Sequence, residues 1–167
     1  KLFVDTYQLC SEMEQELLSK HSSHMPYTSV NTQQLVQLKD GIQALEAIRS
    51  QYDMARLSTE ANIPYDIKMN YQQRLMELFM VFWATSFYKE DFPKACKNLV
   101  KNNKLKDYEL ALIASATTLS LWRNFDERKF DVLFELANDT SDLVKQRAYI
   151  GILIAVYIYS DRLPFFT

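Results

Sequence analysis

Apolar residues between positions 35 and 55 recur at Leu35, Leu38, Ile42, Leu45, Ile48, Tyr52 and Ala55, in steps of three and four. That spacing lays one apolar stripe along a helix. Asn31 followed by Gln34 reads as a capping box at its start. Gly41 falls inside the helix, where glycine costs up to ~1 kcal/mol relative to alanine. Its missing side chain is expected to admit a close neighbour. A similar stripe of Phe3, Tyr7, Cys10, Met13 and Leu17 predicts a helix over 2–20, with Glu12, Glu14 and Glu16 off the stripe. Positions 21–30 are polar, lack periodicity and contain Pro26, so they read as a loop.

Pro64 interrupts the pattern, and Asp66 is placed to cap a third helix running to about 88. The second half of that helix is apolar on nearly every side, which predicts a central position. Pro93 suits the first turn of a short helix ending near 101, followed by a turn over 102–106. Three further helices are expected at 107–123, 127–137 and 142–159, with Asp126 capping the second and Ser141 or Asp142 the third. Their links are two to four residues long, so consecutive helices are antiparallel neighbours. The fold class is therefore all-α, about seven helices in one domain over 1–167.

The C-terminal part also echoes itself. A shift of 35 residues carries Asp107, Ala116, Asp126 and Phe130 onto Asp142, Gly151, Asp161 and Phe165. A period of that size is the signature of stacked helical hairpins. In the segment from 142, Asp142 caps, Val144 faces inward, Lys145 and Arg147 are basic, and Ala148 and Gly151 are small. This order resembles the inner helix of a HEAT repeat. The segment from Asp107 through Ala111 and Ala114 to Ala116 follows it loosely, without the basic residue. The stretches 109–134 and 143–165 are also similar to helical-repeat segments of large bacterial proteins described as TPR-like or HEAT-like. The resemblance implies an α–α superhelix over 107–167, with 1–106 a less regular helical part. It also implies a protein-binding scaffold, because stacked repeats offer extended surfaces. Carried one step further, the echo makes Asp161 the start of an eighth helix reaching about 172, so the natural chain is expected to continue past Thr167.

Composition narrows the function. The 167 residues are 48% apolar and 24% charged, the balance of a folded chain. Two glycines and four prolines disfavour a turn-rich β fold. The net charge of −2 gives no general attraction to nucleic acid or anionic membranes. The most apolar stretches, 75–88 and 148–159, fall short of the ~20 residues that span a bilayer. Cys10 and Cys96 belong to no CxxC pair and are expected as reduced, buried thiols in a cytoplasmic protein.

Candidate chemistry is sparse. His21 and His24 are the two histidines, and a metal centre needs three or four ligands. Phosphate-cradling glycine motifs and nucleophile elbows are absent, so no catalytic residue, metal or cofactor is expected. Two surfaces remain. Lys94, Lys97 and Lys101 share a helical face and define a polyanion-binding alternative, although the segment 89–106 has no arginine for bidentate recognition. The leading expectation is a non-catalytic scaffold for a protein partner or for other domains of the same chain. Its contact residues would be Arg123, Arg147, Tyr149 and Tyr157, on a groove lined by the helices at 107–123 and 142–159.

Overall fold

Helix after helix begins where the sequence offers a residue that stops the preceding chain. The computed structural model describes residues 2, 5–7, 9, 10, 13, 14, 17, 34–58, 63–102, 104–138 and 141–161. The described residues between 2 and 17 are helical and are called α1. Then follow α2 (Gln34–Ser58), α3 (Tyr65–Ala84), α4 (Asp91–Lys101), α5 (Asp107–Arg123), α6 (Glu127–Ala137) and α7 (Asp142–Ile158). The chain is all-helical, as its periodicity predicts, and no strand occurs among the described residues.

The starts of α5 and α6 show why these boundaries are sharp. Asp126 Oδ1 accepts from Arg128 N at 3.1 Å, the N-cap bond expected of it. At α5, the Glu109 carboxylate reaches back to accept from Lys106 N at 2.8 Å. The start of α3 differs from expectation. Pro64 occupies the cap position without a side-chain bond, and Asp66 lies inside the first turn, where its charge meets the positive end of the helix. The same helix ends at Ala84, four residues before 88. Thr85 turns extended (φ −70°, ψ 117°), and its Oγ1 donates to Val81 O at 2.6 Å. The buried, non-helical chain that follows is held by Tyr88 OH donating to Phe82 O at 2.8 Å. Apolar periodicity runs on through Phe87 and Tyr88 and so conceals this break.

The helices pack as two rows. One row is α3, α5 and α7, each touching the next; the other is α2, α4 and α6. The rows meet through α2 on α3, α5 on α6 and α6 on α7. Hydrogen bonds between successive parts of a row recur at similar sequence separations. Tyr71 to Glu109, Tyr88 to Asp126, Lys97 to Glu135 and Tyr159 to Leu121 each span 38 residues, and Ser120 to Thr85 spans 35. The core fills the space between rows with Phe82, Phe92, Leu110, Ile113, Leu121, Leu133 and Leu136.

Central α5 is buried along most of its length, at Leu110, Ala111, Ile113, Ala114, Ala116, Thr117, Ser120 and Leu121. The small residues let α7 come close. A β-carbon built on Gly151 would lie under 3.0 Å from Thr118 Oγ1 and 3.3 Å from Thr118 Cβ and Leu133 Cδ1. Gly41 is the opposite case: a β-carbon there meets nothing within 4 Å, so the close neighbour expected at Gly41 is not found. Two other expectations also change. Met76 is 59% exposed, so α3 is not enclosed on all sides. Cys10 is exposed and only Cys96 is a buried thiol, because α1 does not bury the described part of its stripe (Tyr7, Met13 and Leu17).

Candidate interaction surface

The residues facing inward on α7 are Val144, Ala148, Gly151 and Ala155, spaced to form one narrow stripe. On the opposite side, Leu143, Ile150, Leu153 and Tyr157 repeat at helical spacing and are 44%, 55%, 69% and 84% exposed. The helix is thus apolar on both sides but covered on one. At 3.6 residues per turn, Tyr157 lies mid-face, with Tyr149 and Arg147 on opposite edges and Lys145 beyond Tyr149. Tyr149 and Arg147 are exposed too, and Lys145 makes a 3.8 Å ion pair with Asp142. The structure therefore gathers three of the four expected contact residues (Arg147, Tyr149 and Tyr157) on one surface.

Arg123 lies apart from them. It is half-buried at the end of α5, where its Nη1 donates to Trp83 O at 3.3 Å and its guanidinium sits 6.0 Å from the Trp83 ring centroid. Both of these contacts are with α3. α5 itself offers a slim outward strip of Tyr108, Leu119 and Trp122, whereas α7 offers a whole face.

The expected polyanion stripe is partly neutralised. Lys94 and Lys101 are exposed on α4, but Lys97 between them pairs with Glu135 of α6. Nearby Lys106 pairs with Asp53 at 2.7 Å. His21 and His24 lie outside the described residues, as do 162–167, where the expected eighth helix would run. Among the described residues no group of three metal-ligating side chains forms, and no helix is long and apolar enough to cross a membrane.

Two buried polar clusters escaped the sequence reading. In the first, Glu109 is fully buried and accepts from Arg49 Nη1 at 2.7 Å and from Tyr71 OH at 2.7 Å. Tyr71 also bonds the hydroxyl of Tyr108, and Arg49 Nη2 donates to Lys104 O at 3.0 Å. Burial pushes the Tyr71 phenol well above its ordinary range, and the adjoining Tyr108 and Glu109 push it further. In the second, Lys129 is fully buried, with Nζ donating to Asn124 Oδ1 at 2.9 Å and lying 5.5 Å from the Tyr88 ring centroid. Burial lowers its ammonium pKa to about 7, Arg123 adds to the lowering, and Asp126 opposes it. Asp126 Oδ2 accepts from Tyr88 N at 2.7 Å, and Asn124 Nδ2 donates to Ser86 O.

The first cluster sits at the start of α5 and the second between the end of α5 and the start of α6, and they satisfy backbone and side-chain groups that would otherwise be buried unpaired. An apolar cleft between α4, α5 and α6 is lined by Cys96, Leu99, Val100 and Leu110 among others, with neither cluster opening into it. Lys129 did leave a signal, since it shares the face of Val132, Leu133 and Leu136 and so belongs to the inward side of α6. Glu109 left only its place three residues after Lys106, the position that reaches back over a helix start.

No family model, curated protein or solved structure matches the chain.

Proposed function

We propose that this chain is a non-catalytic protein–protein interaction module built from HEAT-like stacked hairpins, with the outer face of α7 as its contact surface. The observation that carries this reading is the row of Leu143, Ile150, Leu153 and Tyr157 exposed along one helix. Contiguous apolar patches of that kind mark interaction sites. The separation of 35 to 38 residues between bonded neighbours supports the stacked-hairpin part, since it is close to the 35-residue echo of the sequence. Buried titratable groups argue for structure over chemistry, because Lys129 and Glu109 already have partners.

A helix with anchors at i, i+3 or i+4, and i+7 is the ligand such a face accommodates. Arg147 at one edge favours an acidic flank on that ligand. Fluorescence anisotropy with amphipathic acidic helical peptides tests this. Saturable binding that Leu153→Asp abolishes and Lys94→Glu leaves intact is expected. Radical footprinting at a dilution where the chain is monomeric supplies the contrary outcome: if Leu153 and Tyr157 resist labelling there, the face is covered by the chain itself and the reading fails.

A further inference from the structure

A second unpartnered apolar helix face exists in the same molecule. On α1, Leu2, Leu9, Met13 and Leu17 are exposed, at 79%, 57%, 56% and 56%. Their spacing of seven, four and four places them on one side of the helix. Asp5 and Glu14 lie outside that stripe and are exposed. α1 therefore presents an apolar stripe with acidic flanks. The outer face of α7 presents an apolar stripe with Arg147 at one edge, while beyond the other edge Lys145 is paired with the exposed Asp142.

The two stripes also match in extent. Leu2 to Leu17 and Leu143 to Tyr157 each span about 20 Å at 1.5 Å per residue. Each stripe exposes on the order of 500 Å², within the size of patches that mark interfaces. One contact of that size falls below the ~800 Å² per partner of a stable complex, and two reach it.

We infer that the occupant of the α7 face is α1 of a second copy of this chain, exchanged reciprocally in a two-fold dimer. This rests on reading the α7 face as an interaction surface and names its partner. Reciprocal exchange uses both apolar faces of both copies and closes the assembly, whereas a one-way contact would leave faces open for further addition. Charge at the stripe edges favours this pairing, since Arg147 can meet Asp5 or Glu14 across it, whereas α1 on α1 juxtaposes acids.

Sedimentation equilibrium of the full chain at micromolar concentration tests the inference. The expected mass is twice the 19.6 kDa of the monomer. Leu9→Asp and Leu153→Asp change exposed residues, so helicity by circular dichroism should hold. Each variant alone should dissociate, with affinity falling roughly tenfold or more. Mixing the two variants should restore association only weakly, because a single contact, the unaltered α1 of one chain on the unaltered α7 of the other, is intact. A dimer surviving Leu9→Asp would mean pairing through α7 alone, and a dimer surviving Leu153→Asp pairing through α1 alone; either overturns the inference. A wild-type monomer throughout the range also overturns it. Footprinting then separates the two readings. Labelled Leu153 and Tyr157 in that monomer leave the interaction surface standing for another partner, and protected side chains remove both readings.

Discussion

A methyl group added at Gly151 should test how tightly α7 is seated on α5. Alanine there places its β-carbon under 3.0 Å from Thr118 Oγ1 and 3.3 Å from both Thr118 Cβ and Leu133 Cδ1. Rotating the Thr118 side chain moves the hydroxyl but leaves its β-carbon where it is. Rotation also breaks the 2.8 Å bond from Thr118 Oγ1 to Ala114 O, worth about 0.5–1.5 kcal/mol. Overpacking of this kind costs about 1–3 kcal/mol. Against that stands the helix-propensity gain of roughly 1 kcal/mol for replacing glycine. The net expectation is destabilisation by about 1–2 kcal/mol, or several degrees in Tm for a chain of this size. Gly41→Ala is the internal control. It gains the same propensity and meets nothing within 4 Å, so it should stabilise by about 0.5–1 kcal/mol. Urea denaturation followed by circular dichroism measures both, read as midpoint shifts at constant slope. Thr118→Ala should relieve part of the Gly151→Ala cost, which a double-mutant cycle reports as favourable coupling. If Gly151→Ala stabilises as much as Gly41→Ala does, the close approach of α5 and α7 is refuted.

Removing the Glu109 carboxylate as Glu109→Ala strands the Arg49 guanidinium and Tyr71 hydroxyl, and should cost about 3–5 kcal/mol by urea denaturation; a loss below about 1 kcal/mol would mean the cluster is replaced by water. Lys129 has a pKa of about 7 in the fold against 10.5 ordinarily, so above pH 7 the unfolded chain binds the extra proton. Stability contributed through this residue should therefore rise between about pH 7 and 10.5, and Lys129→Met should flatten that slope; parallel pH profiles for the two proteins would contradict the lowered pKa of the buried amine. Thiol titration should find Cys10 reacting at once and Cys96 only as the chain unfolds, because burial excludes reagent and pushes its thiol pKa up; two equally fast thiols would place Cys96 outside the core.

Local signals carried much of the architecture. The bounds of α5 and α6 match their sequence expectation because Asp126 and short links fix them over a few residues. The end of α3 was hidden, since Phe87 and Tyr88 keep the apolar pattern while Thr85 has already left the helix. Gly41 and Gly151 look alike in sequence, yet one faces open space and the other a crowded helix contact. The polar clusters were hidden for a different reason. Arg49 and Glu109 meet across 60 residues, and no spacing rule reaches that far. On the surface, the aromatic excess around Tyr149 and Tyr157 was legible. The loss of Lys97 to Glu135 was not, because it depends on α4 and α6 lying side by side.

The recurring bond separation has a kinetic consequence. When partners lie 35 or 38 residues apart at successive points along a chain, each helix pair depends chiefly on its neighbours. On the proposed stacked-hairpin reading, folding of such a chain resembles the growth of a short one-dimensional stack, in which a nucleus forms locally and units add at its ends. Here α5 contacts α3, α6 and α7, which makes it the natural seed. Growth from it would proceed in two directions, and thermal fraying would begin at the outermost helices and reach α5 last. The ion pairs of Arg49 with Glu109 and Lys106 with Asp53, spanning 60 and 53 residues, tie α2 to the start of α5. They act as a latch that makes opening on the α2 side more cooperative than opening at α7.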